Sequence, residues 1–132
     1  MIDPDPAPGA EMTDEVSRRF DPDLRSVGSA RRFATETAHA WSLDAADIAL
    51  VVGELAANAV LYGQTPFTVH LRRDQRVSIE VSDLGSSAVH PASPSPLSQR
   101  GRGLQIVDRV AVDWGIQPSP DGGKVVWARL EP

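Results

Sequence analysis

Across fifteen residues, from Ile48 to Tyr62, only Glu54 and Asn58 carry strongly polar side chains. A helix that is apolar nearly all round has to be buried on most of its sides. Ile48, Val52, Leu55 and Ala59 fall on one stripe of such a helix and are placed to pack on a sheet. Glu54 and Asn58 are four residues apart, so they stack one turn apart on a different face. A carboxylate or an amide taken out of water without a partner costs on the order of several kcal/mol, so something polar has to meet both groups. Two answers are open. One is a structural hydrogen-bond pair to neighbouring backbone. The other is a metal–phosphate site, with the Asn58 carbonyl oxygen as a hard ligand for Mg²⁺ and Glu54 orienting or deprotonating a nucleophile.

The surrounding pattern gives this helix a context. Val27, Ala30, Ala34, Ala38 and Trp41 recur at helical steps and predict a helix over 23–41. Asp44-Ala-Ala-Asp47 opens the second helix and Gly63 closes it. Glu15 to Phe20 reads as a short edge strand. Phe67, Val69 and Leu71, then Val77, Ile79 and Val81, alternate with polar residues on either side of a turn at Asp74-Gln75, as two paired strands do. A third helix is expected over 103–112. A closing hairpin is expected over 114–130, turning at Asp121-Gly122-Gly123. Helices gathered on one face of a mixed, mostly antiparallel sheet make a two-layer α/β sandwich. Residues 1–13, with Pro4, Pro6 and Pro8 among acids and small residues, read as a disordered acidic tail. Residues 14–132 then form one domain.

Two further local signals carry chemistry. Asp83-Leu-Gly85 follows the strand ending near Val81. A strand-end aspartate can accept a hydrogen bond from the amino group of a flat ring, and an adjacent glycine lets the ring approach the backbone. The same tripeptide also serves as an ordinary turn. Arg100-Gly-Arg-Gly-Leu104 opens the third helix, where free N–H groups and the helix dipole favour phosphate and two arginines help neutralise it. A hinge would use the same glycines.

Composition removes several alternatives. There is no cysteine, so disulfides and thiolate metal sites are excluded. The three histidines, His39, His70 and His90, are too scattered to suggest a zinc site. The net charge of −5 is concentrated in residues 1–25, which hold seven acids against three arginines. The remainder is almost neutral, unlike a general nucleic-acid binder. With no basic-then-apolar leader and no run of about 18 apolar residues, the chain is expected to be cytoplasmic and to contact neither nucleic acid nor membrane.

Taken in order and spacing, Glu-Leu-Ala-Ala-Asn-Ala (54–59), Asp83-x-Gly85 and Gly101-x-Gly103-Leu104 resemble the boxes of the ATPase superfamily that includes gyrase, histidine kinases and mismatch-repair proteins. Within it, the short length and the closing Trp114-Gly115…Gly123-Lys-Val-Val-Trp-Ala128 look like the anti-sigma-factor serine/threonine kinase family of bacterial regulators. The resemblance covers 16–130. It implies a histidine-kinase-like ATPase fold and bound ATP with Mg²⁺. Glu54 is then the catalytic base, Asn58 the Mg²⁺ ligand and Asp83 the adenine reader. Gly85, Gly101 and Gly103 shape the pocket, with Arg100, Arg102 and Leu104 beside them, and residues 86–100 form a lid. The implied partners are a sigma factor and an antagonist protein phosphorylated on Ser or Thr, with homodimerisation a family habit. The alternative is a module that binds ATP without transferring phosphate. Two departures from the family pattern stand out: Tyr62-Gly63 where many members have His-Gly, and Gly123-Lys124 where a Gly-Thr pair would supply a hydroxyl.

Overall fold

The computed structural model describes residues 14–85 and 101–132. The expected tail at 1–13, the expected lid at 86–100 and Arg100 lie outside the described residues. Strand β1 (Asp14–Phe20) leads into helix α1 (Arg25–Ala40) and helix α2 (Ala46–Asn58), which runs on through a π-helical turn, Ala59–Gly63. Strands β2 (Phe67–Arg73) and β3 (Val77–Asp83) follow, then helix α3 (Gly101–Val110) and strands β4 (Asp113–Pro118) and β5 (Lys124–Leu130).

The strands form one sheet in the order β1-β2-β3-β5-β4. Every neighbouring pair is antiparallel, so the sheet is more uniform than the mixed one expected. The period-two pattern decides which side is covered. Phe67, Val69 and Leu71 on β2, Val77, Ile79 and Val81 on β3, and Val126, Ala128 and Leu130 on β5 are buried under the helices. Against them α2 sets Ile48, Val51, Val52 and Leu55, all fully or nearly fully buried. Helix α1 adds Ala30, Phe33, Ala34 and Ala38 along one flank, and α3 adds Leu104 and Val107.

Local chemistry fixes the ends. The Ala46 amide donates to Asp44 Oδ1 at 2.9 Å, so the aspartate expected to start α2 does so from just outside it. Arg73 ties the end of α1 to the sheet. It donates to the Trp41 carbonyl at 2.6 Å, lies over the Trp41 ring and pairs with Asp14. At the β4–β5 hairpin Gly122 takes φ +97, a conformation that an L side chain resists. By length and hydropathy alone, Ala46–Gly63 would pass for a membrane-crossing helix, which corrects the expectation that no run of about 18 apolar residues exists. Half of it is buried in the fold, which is the role of a core helix.

Candidate functional site

The apolar stripe of α2 is spent on the sheet and the neighbouring helices, which leaves Glu54 and Asn58 on the remaining flank. Both are partly buried. Neither makes a hydrogen bond or ion pair with any of the described residues. A structural pair with nearby backbone was one of the two answers open from sequence, and no such bond exists among these residues. Two polar groups one turn apart thus keep free lone pairs at the edge of the core, where pairing would otherwise be expected. An amide oxygen and a carboxylate are both hard donors suited to Mg²⁺. No group of three or more His, Asp or Glu gathers among the described residues. A cation held by Asn58 would therefore complete its shell with ligand phosphate oxygens and water.

Immediately after Asn58 the helix widens. Ala59–Gly63 is π-helical, closed by the Gln64 amide donating to the Ala59 carbonyl at 3.2 Å, with Gln64 itself left-handed at φ 58. Such wide turns occur often at functional sites. Here the turn delivers Gly63 against the Asp83 side chain. A Cβ at Gly63 would come within 2.8 Å of Asp83 Cγ. A Cβ at Gly85 would meet the Gly63 carbonyl oxygen at 2.4 Å, and one at Gly123 would meet the Asp83 carbonyl oxygen at 1.9 Å. Three glycines therefore let backbone segments pack tightly around Asp83, Gly63 against its side chain, Gly123 against its backbone and Gly85 against Gly63. Thr65 adds a clasp, its hydroxyl oxygen accepting the Leu84 amide at 2.9 Å.

Asp83 is buried, its side chain only 1% exposed, and it is not alone. Lys124, directly opposite it on β5, is also buried and donates to Asp83 Oδ2 at 2.8 Å and Oδ1 at 3.1 Å. The Gly85 amide donates to Oδ1 at 2.8 Å. Sequence reading treated Lys124 only as a missing hydroxyl, yet the pairing was available from parity. Lys124 shares the alternation of Val126, Ala128 and Leu130 and so had to point inward beside Asp83.

The glycine-rich turn behaves differently from expectation in one respect. Helix α3 begins at Gly101, two residues early, so Gly101, Arg102 and Gly103 belong to its first turn. The backbone N–H groups of a first helical turn lack intrahelical acceptors, and among the described residues no other group accepts from this one, so it suits an anion. Leu104 is a core side chain, so its backbone alone can serve a ligand. Helix α3 packs on α2, which carries Glu54 and Asn58. Asp83 and Gly85 sit at the end of β3, against the turn that continues α2.

The fold has known counterparts. The family model described as the histidine kinase-like ATPase domain matches residues 20–130. Among solved structures, the chain is similar to one in the SiaB-SiaC complex from Pseudomonas aeruginosa, with a TM-score of 0.55 and 16% identity over 87% of this chain and 88% of that one. That likeness is one of fold. No curated protein matches.

Proposed function

Because the chain belongs to the histidine kinase-like ATPase domain family, we propose that it binds Mg·ATP and acts as a regulatory kinase of the anti-sigma-factor type. In this reading it phosphorylates a serine or threonine on an antagonist protein and sequesters a sigma factor. The observation that carries the reading is the pair Glu54 and Asn58, without a partner among the described residues, one turn apart on the flank of a core helix whose continuation touches Asp83. Asn58 Oδ1 would hold the Mg²⁺ that neutralises phosphate charge. The free amides at the start of α3 would receive phosphate oxygens, and the end of β3 the base. Glu54 would take the proton of the incoming hydroxyl as its oxygen attacks the γ-phosphorus and the bond to the leaving ADP breaks. Chemistry of this kind depends on positioning and charge neutralisation more than on covalent help from the protein.

Isothermal titration with ATP, with and without Mg²⁺, followed by transfer of the terminal phosphate to a candidate antagonist, tests the proposal. Metal-dependent binding with transfer supports it. Binding without transfer to any antagonist of the type would reduce the protein to an ATP-responsive interaction module. No binding would remove the nucleotide reading altogether.

A further inference from the structure

The chain has a single lysine among its thirteen basic residues, and that lysine is buried. Arginine, with its larger and more weakly hydrated head, is the usual choice for buried ion pairs, whereas a lysine ammonium is a compact point donor. A buried ion pair is also poor evidence of a stabilising purpose, since an apolar pair of similar volume often serves stability as well or better. The pair of Lys124 and Asp83 therefore calls for a reason beyond folding, and its unused hydrogen-bonding capacity points to one.

A carboxylate has about four acceptor positions and an ammonium three donors. Asp83 Oδ1 is engaged by the Gly85 amide and by Lys124 Nζ, while Oδ2 is engaged by Nζ alone. Lys124 makes no other hydrogen bond to the described residues. Among the described residues, one acceptor position on Oδ2 and one N–H on Nζ are therefore left, on atoms 2.8 Å apart. A donor and an acceptor side by side at that spacing match the edge of a heteroaromatic ring bearing an amino group next to an unprotonated ring nitrogen. Adenine presents that edge with its 6-amino group and N1.

We propose that Lys124 reads the base jointly with Asp83: Oδ2 accepts from the 6-amino group of adenine and Nζ donates to N1. This rests on the nucleotide reading above and deepens it. The pair persists while the base is bound, because each partner contributes only the position left over from their own contact. Selectivity follows from leaving these positions unmatched. A ligand that lacks either half of the edge strands a buried donor or acceptor, which a buried site tolerates poorly.

Titrations on the unmodified protein with ATP, 1-deaza-ATP, which lacks the N1 acceptor, and the triphosphate of purine riboside, which lacks the 6-amino group, decide the matter. Each analogue should bind about ten- to a hundredfold more weakly than ATP, the usual loss for one unmatched buried partner. Lys124→Met should bring ATP and 1-deaza-ATP to equal affinity while both still exceed the purine analogue. If that variant does not fold, the analogue series on the unmodified protein suffices. Equal binding of ATP and 1-deaza-ATP to the unmodified protein would overturn the role of Lys124 and leave ATP binding standing. GTP binding as tightly as ATP would overturn the adenine edge. No binding of ATP at all would remove both this inference and the reading beneath it.

Discussion

Glu54 and Asn58 share a flank of α2, yet the proposed chemistry asks different things of them. Asn58 meets a metal, so Asn58→Ala should abolish the Mg²⁺ dependence of ATP binding, read by titration with and without chelator. Glu54 meets a hydroxyl. Glu54→Gln keeps the shape and should hold ATP affinity within a few-fold while lowering transfer roughly 10²–10⁴-fold, the usual worth of a positioned base. Since neither side chain is bonded to a described residue, melting temperature should move little in either variant. A large drop in both with unchanged nucleotide binding would count against the site. Gly123 makes a contrasting case. A methyl there would lie 1.9 Å from the Asp83 carbonyl oxygen, a backbone atom that cannot step aside. Gly123→Ala should cost about 1–3 kcal/mol through forced displacement and lower the melting temperature by several degrees.

At the level of elements, α1 holds a glycine that no close approach requires. A Cβ at Gly28 meets nothing within 4 Å, and the residue is exposed within the helix. Gly28→Ala should therefore stabilise by about 0.5–1 kcal/mol through helix propensity, visible as a raised denaturation midpoint. Elements of this kind were legible in the sequence because their signals are periodic. The alternation of Phe67, Val69 and Leu71 and the apolar stripe of α2 gave strands, helices and the covered face. The π-turn was not legible, because nothing within Ala59–Gly63 marks it and the close approach it makes, Gly63 to Asp83, lies across the fold. The early start of α3 escaped for a related reason. Gly101 and Gly103 have low helix propensity, and the buried Leu104 and Val107 outweigh it. Of the candidate site, Glu54, Asn58, Asp83 and Gly85 announced themselves by polarity or by turn chemistry. Lys124 did not, since its meaning depends on a partner 41 residues away in sequence.

Across the whole molecule, a ligand that binds only the folded state adds stability by mass action. Mg·ATP at about a hundred times its dissociation constant should contribute about 2.7 kcal/mol and raise the melting temperature by several degrees. A fluorescence melt should show this rise vanish when chelator is added or when Asn58 is replaced by alanine. The geometry of the base end has a different consequence. Phe20, Phe67, Asp83, Lys124 and Pro118 face one another in a single transverse row that crosses all five strands, with Phe20 and Phe67 stacked at 5.4 Å beside the ion pair. The Asp83 and Lys124 amides face each other across β3 and β5, two interior strands, and become open to deuterium when that pair parts and the buried ion pair with it, whereas the first turn of α3 can fray without disturbing the sheet. Exchange at Asp83 and Lys124 should then keep pace with global unfolding, and exchange at the start of α3 should run far ahead of it. On that outcome the end of the molecule that would recognise the base is as long-lived as the fold, while the end that would receive the phosphates opens many times within that life.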